Sequence, residues 1–105
     1  NKEKRIDKIT TMSTIVENVI SNLKKSNLLD SSLIGELTDH YELNNLTNVS
    51  IIEIDGEEGI IVLDKALGYE IFFINTNSYE MSKLYWTLDE SEAIVKYKEM
   101  QECCE

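Results

Sequence analysis

The feature that most constrains the fold is a change of hydrophobic spacing near residue 49. From there, two runs rich in isoleucine and valine, "VSIIEI" at 49–54 and "GIIVL" at 59–63, enclose the turn sequence "DGEEG". β-Branched residues favour strands, and an Asp-Gly pair between two apolar runs is typical of a tight hairpin turn. The sequence therefore predicts an antiparallel hairpin, in which Gly59 allows a bulge or a left-handed residue.

Two further strands are predicted after this hairpin. "YEIFFINT" at 69–76 follows Gly68, and "YEMSKLYWTL" at 79–88 follows the polar turn "NTNS". Side chains alternate between the two faces of a strand, so Phe72 and Phe73 are expected on opposite faces of the sheet. One face of the last strand is expected to carry Leu84, Trp86 and Leu88. Four strands joined by short turns most simply form an antiparallel meander.

A first helix is predicted before the strands, because apolar residues recur there at spacings of three and four. The stripe consists of Ile9, Met12, Val16, Val19 and Leu23. We expect it to pack on the sheet, with a homodimer seam as the alternative. The chain begins with Asn1, and Met12 is a candidate natural start, so residues 1–11 are interpreted as a flexible or non-native leader.

Two more helices are predicted. Asp30 or Ser31 is expected to cap the second, which ends at Asn44-Asn45 and has an apolar face of Leu33, Ile34, Leu37 and Tyr41. The third begins near a capping box of Thr87 and Glu90, or is capped by Asp89, and its face consists of Ala93, Ile94, Tyr97 and Met100. The prediction is one α+β domain over residues 1–105, of order α-α-β-β-β-β-α, with the helices on one face of the sheet.

The strongest global feature is negative charge. Twenty acidic and ten basic residues give a net charge of −10, and residues 26–64 contain nine acids with no lysine or arginine. Direct binding to nucleic acid requires a basic surface, so this composition argues against it, whereas a basic protein partner would be attracted. The longest wholly apolar run, at 59–63, is far too short for a membrane span, and no secretory signal pattern opens the chain. A cytoplasmic protein is expected.

The candidate chemistries find little support in the sequence. The acids and glycines around Asp55 do not match the spacing of a calcium-binding loop, and no acid-x-lysine pattern indicates a metal-dependent nuclease. The single histidine, His40, has no partner set for zinc or for nucleophile activation. Cys103 and Cys104 are adjacent near the end of the chain and are interpreted as a reduced tail. We therefore expect no catalytic residues, metal or cofactor.

Aromatic residues concentrate in the last two predicted strands. With one sheet face covered by helices, the other is expected to show an aromatic patch with glutamates alongside, and the alternative is that these rings fill the core. A patch of aromatic side chains surrounded by acids is typical of a protein-binding surface. The predicted partner-binding residues are Glu53, Asp55, Glu57, Glu58, Asp64, Tyr69, Tyr79 and Tyr85.

The favoured hypothesis is a non-catalytic inhibitor that uses its acids to block a basic, nucleic-acid-acting partner such as a nuclease or toxin. In composition the chain resembles the small acidic proteins encoded by phages, mobile elements and toxin loci, which act in this way. The alternative is a structural or dimerisation module excised from a larger protein, and a small enzyme is the third hypothesis. The expected assembly is a monomer or a homodimer.

Overall fold

The computed structural model describes residues 2–26 and 30–103, with side chains from Ser13 to Glu102 within those ranges. Its elements are α1 (Lys2–Ser26), α2 (Ser31–His40), β1 (Leu46–Ile54), β2 (Glu57–Lys65), β3 (Tyr69–Asn75), β4 (Met81–Thr87) and α3 (Glu90–Cys103). The predicted order of helices and strands is confirmed. Residues 2–11, interpreted above as a leader, belong to α1, whereas Cys104 lies outside the described residues.

The four strands form an open antiparallel sheet in the order β1-β2-β3-β4, which confirms the predicted meander. The turn between β1 and β2 consists of Asp55 and Gly56, whose φ angles are 52° and 81°. Two consecutive positive φ angles define the type I′ turn, and its twist matches the right-handed twist of the flanking strands. The Asp-Gly pair therefore forms the predicted hairpin turn.

The helices lie on both faces of the sheet, so the prediction that they share one face is wrong. α1 and α2 pack on one face, where Ile60 and Val62 of β2 are fully buried, and we call this the α1–α2 face. α3 packs on the opposite face against Ile61 and Leu63, and we call this the α3 face. Because β2 and β3 are the inner strands of a three-layer arrangement, their apolar residues are buried on both faces.

The α1–α2 face holds the larger of the two cores. Val16 and Val19 of α1 are fully buried there, and Leu23 is 8% exposed, so this part of the predicted stripe packs within the domain. The side chains of Ile9 and Met12 lie outside the described part of the chain. Phe72 lies on this face and Phe73 on the α3 face, which confirms their predicted separation.

α2 begins as predicted and ends earlier than predicted. The carboxylate of Asp30 accepts a hydrogen bond from the backbone N–H of Ser32, which caps the first turn. The helix ends at His40, where the backbone N–H of Leu43 donates to the carbonyl of Thr38 at 2.9 Å and Glu42 has a φ of 53°. This is a Schellman motif with Glu42 in the left-handed position, so Asn44-Asn45 does not end the helix.

Packing corrects two local predictions, at Gly59 and Ile94, and leaves Trp86 outside both cores. A Cβ on Gly59 would lie 2.4 Å from the carbonyl oxygen of Ile74 and 2.4 Å from the Phe73 ring, so this glycine permits close approach of β3 and makes no left-handed turn. Ile94 is 39% exposed and does not join the buried face of α3. Trp86 is 51% exposed, since neither helix layer extends over it.

Candidate functional site

The strongest candidate for a functional surface is the tip of the β1–β2 hairpin. Glu53, Asp55, Glu57 and Glu58 are all exposed there, and we call these four residues the acidic tip. The tight turn makes Ile54 pair with Glu57 and Glu53 pair with Glu58, so the four carboxylates occupy a few residues at one end of the sheet. The sequence analysis could group these residues because they are nearly contiguous.

The acidic tip is held in place by the neighbouring turn between β3 and β4. Thr76 donates two hydrogen bonds to the backbone carbonyl of Glu58, from its N–H at 3.2 Å and from its hydroxyl at 2.7 Å. The side-chain amide of Asn75 donates to the Glu57 carboxylate at 2.7 Å. A surface fixed in this way loses little conformational entropy when it binds, which favours affinity.

No ion pair among the described residues neutralises the acidic tip. Glu53 and Glu58 lie directly opposite each other on the α1–α2 face, and like charges in this position destabilise a sheet. Among the residues that the structure describes, the ion pairs join Glu70 to Lys83 and Glu99 to Lys96, and none involves the acidic tip. The tip therefore presents a concentrated negative field to solvent.

Two glutamates that sequence reasoning missed extend this field. Glu80 is exposed in the β3–β4 turn, whose backbone at Asn75 pairs with that of Gly59 beside the acidic tip. Glu17 of α1 and Glu58 line opposite sides of a groove of about 360 Å³, together with Lys24 and Tyr79. The meander topology could have placed Glu80 at this end of the sheet, because the first and third turns of a four-stranded meander lie at the same end.

Asp64 does not belong to the exposed acidic surface, and its predicted assignment there is wrong. Its side chain is 1% exposed, and its carboxylate accepts hydrogen bonds from the backbone N–H groups of Asn44 and Asn45, at 3.0 and 2.7 Å. The side-chain amide of Asn44 donates a further bond at 3.3 Å. Asp64 therefore fastens the loop between α2 and β1 to the sheet, as a buried carboxylate with satisfied acceptors.

The three predicted tyrosines do not form one surface. Tyr79 lies on the α1–α2 face, where its carbonyl accepts a hydrogen bond from the Tyr41 hydroxyl at 2.7 Å. Tyr69 and Tyr85 are packed against the α3 core, which α3 covers. The expected open aromatic patch is therefore absent from the described residues, and the alternative, that these rings join the core, describes them better.

Tyr85 and Glu92 form a local hydrogen-bond pair beside the first turn of α3. The Tyr85 hydroxyl donates to the Glu92 carboxylate, which raises the pKa of the tyrosine and lowers the pKa of the glutamate. Thr87 also donates to this carboxylate at 2.9 Å, while Asp89 accepts the backbone N–H of Ser91 at 2.9 Å as the helix cap. These contacts hold β4 against α3, so they have a structural explanation.

Burial explains the two strongest pKa shifts. Desolvation raises the pKa of Tyr41 to about 12, and that of Tyr97 to about 12 as well. The Tyr97 hydroxyl donates to Ser50 at 2.6 Å and so connects α3 to β1. Both phenols therefore stay protonated and act as hydrogen-bond donors between layers.

Within residues 2–26 and 30–103, no group of three or more His, Cys, Asp or Glu side chains is arranged to hold a metal ion. No helix in these same ranges has both the length and the apolarity needed to cross a membrane.

Comparison with known proteins identified no relative. Neither a protein family, nor a curated protein, nor a solved structure was found to match the chain. The functional proposal below therefore rests on the geometry and charge of the acidic tip alone.

The repulsion between Glu53 and Glu58, which lie opposite each other at the acidic tip, leads to a testable prediction for stability. Replacing Glu58 by glutamine removes the repulsion from Glu53, so the free energy of unfolding should rise by about 0.2–1 kcal/mol. The matched control is Glu57→Gln, which weakens the charge-assisted hydrogen bond from Asn75 and should bring no such gain. Urea unfolding of the two variants beside the wild type measures the difference. A destabilised Glu58→Gln protein would contradict this account of the pair.

Proposed function

We propose that the protein is a non-catalytic inhibitor that binds a basic, nucleic-acid-acting protein through its acidic tip. The observation that carries this proposal is a cluster of four exposed carboxylates on one tight hairpin, none of which forms an ion pair among the described residues. Such a surface resembles a short stretch of phosphate backbone in its charge, and it would compete for the same lysines and arginines.

The destabilising repulsion within the acidic tip supports a role beyond solubility. Solubility requires net charge, and dispersed acids would supply it without placing Glu53 opposite Glu58. The concentration of like charge on a tight hairpin lowers stability. Thr76 nevertheless fixes the backbone of this hairpin at Glu58, and Asn75 holds the Glu57 carboxylate. A partner that neutralises these charges would recover that energy on binding.

The proposed order of events is electrostatic steering followed by docking. A net charge of −10 attracts a basic partner over roughly the Debye length of 8–10 Å at physiological ionic strength. The groove between α1 and the sheet lies next to the tip, and there the half-buried ring of Tyr79 stands beside Glu58. Of the three predicted tyrosines, Tyr79 is therefore the one we assign to the interface.

The direct test compares two fourfold variants of equal charge. The tip variant carries Glu53→Gln, Asp55→Asn, Glu57→Gln and Glu58→Gln. The control variant removes the same number and type of charges from α2, its C-terminal turn and α3, at Glu36, Asp39, Glu42 and Glu102, all of which are exposed. Immobilised wild type should retain a basic protein from a bacterial or phage-infected lysate, to be identified by mass spectrometry.

Kinetics with that protein then decide the role of the tip. We expect the tip variant to associate at least tenfold more slowly, with a flatter dependence on salt, because steering acts on the association rate. The control variant should keep most of the wild-type rate. Equal rates for the two variants would show that only total charge matters, and association indifferent to salt and to both variants would contradict the proposal.

A cytoplasmic location and an origin in a phage, mobile element or toxin locus are part of the same proposal. A protein that blocks a nuclease or toxin by competing with nucleic acid has to meet its partner in the compartment that contains the nucleic acid. Inhibition measured with the captured partner, on a nucleic-acid substrate, distinguishes this role from simple binding, and turnover of the partner or its substrate by the purified chain would contradict it.

A further inference from the structure

The groove between α1 and the sheet has both apolar and charged lining residues. Its volume is about 360 Å³, and its apolar part consists of Val16, Ile20 and the ring of Tyr79. Val16 is fully buried, whereas Ile20 and Tyr79 are half-buried. Ligand sites typically have volumes of about 300–1,000 Å³, so a groove of this size suits a single side chain or a very small ligand.

Tyr79 is held at one end of this groove by two hydrogen bonds. Its hydroxyl accepts a bond from the Ser13 hydroxyl at 3.0 Å, and its backbone carbonyl accepts one from the Tyr41 hydroxyl at 2.7 Å. Ser13 and Glu17 are four residues apart on α1 and are therefore neighbours on the helix surface, so the hydroxyl end of the ring lies near Glu17. A ring that is already fixed loses little entropy when a ligand packs on it.

The charges that line the groove are separated along α1. Glu17 precedes Lys24 by seven residues, which is about 10 Å along a helix, so Lys24 lies away from the end that holds Tyr79. Glu58 contributes a second carboxylate from the sheet side of the groove. Among the residues that the structure describes, no ion pair joins Lys24 to either glutamate. Both carboxylates can therefore accept hydrogen bonds from a bound cation.

An aromatic face beside two carboxylates favours a cation that has an apolar stem. Cations are attracted to an aromatic face within about 6 Å of the ring centre, and carboxylates accept strong charge-assisted hydrogen bonds. The guanidinium group of arginine combines both contacts, because it is planar, stacks on rings and has donors on several sides, whereas the lysine ammonium is a strongly hydrated point charge. The aliphatic stem of an arginine would lie along Ile20, since long charged side chains bury their stems on apolar surface.

We propose that the groove between α1 and the sheet binds one arginine side chain of the basic partner. Its guanidinium group lies against the Tyr79 ring and donates hydrogen bonds to Glu17 and Glu58. The acidic tip attracts any basic surface at long range, and the groove adds a short-range contact that distinguishes arginine from lysine. The origin of the arginine rests on the proposed function, whereas the affinity of the groove for arginine can be measured without the partner.

A titration with N-acetyl-arginine amide tests the groove in the intact chain. Amide NMR spectra of the wild type should show saturable shifts at Glu17, Thr76 and Tyr79, with a Kd of about 1 mM, as expected for a ligand of this size. N-acetyl-lysine amide should bind at least about fivefold more weakly, because it cannot stack or bridge the two carboxylates in the same way.

Two substitutions should change this affinity in opposite directions. Glu17→Gln removes one of the two carboxylates and should weaken binding of N-acetyl-arginine amide about tenfold, whereas Lys24→Gln removes a competing cation and should strengthen it about twofold. The matched control is Glu36→Gln on α2, which makes the same change of charge and should leave the affinity unchanged. All three residues are exposed, so the variants should keep the circular dichroism of the wild type.

Four results would overturn this inference. They are the absence of saturable shifts up to about 20 times the expected Kd, equal affinity for the arginine and lysine amides, shifts confined to the acidic tip, and an equal loss of affinity in Glu17→Gln and Glu36→Gln. Failure of the inhibitor proposal would look different. Arginine binding in the groove, together with a tip variant that associates at the wild-type rate, would contradict the assigned role of the tip and leave the arginine site in place.

Discussion

Replacing Val16 by lysine is expected to unfold the domain. Val16 is fully buried, because it packs in the core formed by α1, α2 and the sheet residues Ile60 and Val62. Burial of an unpaired ammonium costs several kcal/mol or more, and a domain of this size has roughly 5–15 kcal/mol of total stability. Circular dichroism and urea unfolding should show a chain that is largely unfolded or loses most of its stability.

The control for this substitution is the adjacent residue. Glu17 is exposed, so Glu17→Lys makes a larger change of charge at almost the same place and should leave the fold intact. A Val16→Lys protein that stays folded, and that changes from a dimer to a monomer, would instead show that the stripe of α1 is a subunit seam. The burial of Val19 and Leu23 on the same stripe argues for packing within the domain.

The order of the elements was predictable because each signal is local. The Asp-Gly turn, the spacing of three and four in α1, and the cap at Asp30 all act within a few residues, and all three are found. The prediction that all three helices lie on one face of the sheet was wrong, although the sequence contains a pattern that indicates helices on both faces. Gly59 to Leu63 and Ile71 to Ile74 are continuous apolar runs, which indicate strands buried on both sides.

The candidate site was predictable only where its residues are close together in the sequence. The acidic tip is nearly contiguous, and the hairpin turn keeps it so. Leu84, Trp86 and Leu88 were expected to share one face of β4, and whether helices cover that face depends on where α1 and α2 end. Tyr85 and Tyr69 were separated from the acids for the same reason, because α3 packs on their side of the sheet.

Acid residues with opposite roles look alike in the sequence, and Asp64 is the clearest case. It lies in the stretch of nine acids that defines the negative segment, yet it is 1% exposed. Its burial depends on backbone donors from Asn44 and Asn45, twenty and nineteen residues earlier in the chain. No spacing rule connects an acid in a strand with the N–H groups of a preceding loop, so sequence reasoning placed Asp64 with the acidic surface.

Replacing Asp64 by alanine is expected to destabilise the domain by about 3 kcal/mol or more. The substitution removes the acceptor of two backbone N–H groups and of the Asn44 side-chain amide, and hydrogen bonds to a charged group contribute about 1.5–3 kcal/mol each. Asp64→Asn keeps one acceptor oxygen and should lose less. Urea unfolding measures both, with Asp39→Ala, at an exposed position of α2, as the control that should change little.

The same variants separate structural acids from acids that meet a partner. At a temperature where Asp64→Asn is still folded, we expect its association rate with the proposed basic partner to stay close to that of the wild type. Asp64 lies six residues along β2 from Glu58, roughly 20 Å away, which is about twice the Debye length. The Glu58→Gln substitution should act in the opposite way, raising stability and slowing association. The opposite result would be an Asp64→Asn protein that is as stable as the wild type but associates as slowly as the tip variant. It would show that Asp64 belongs to the binding surface, and it would contradict the structural role inferred from its burial.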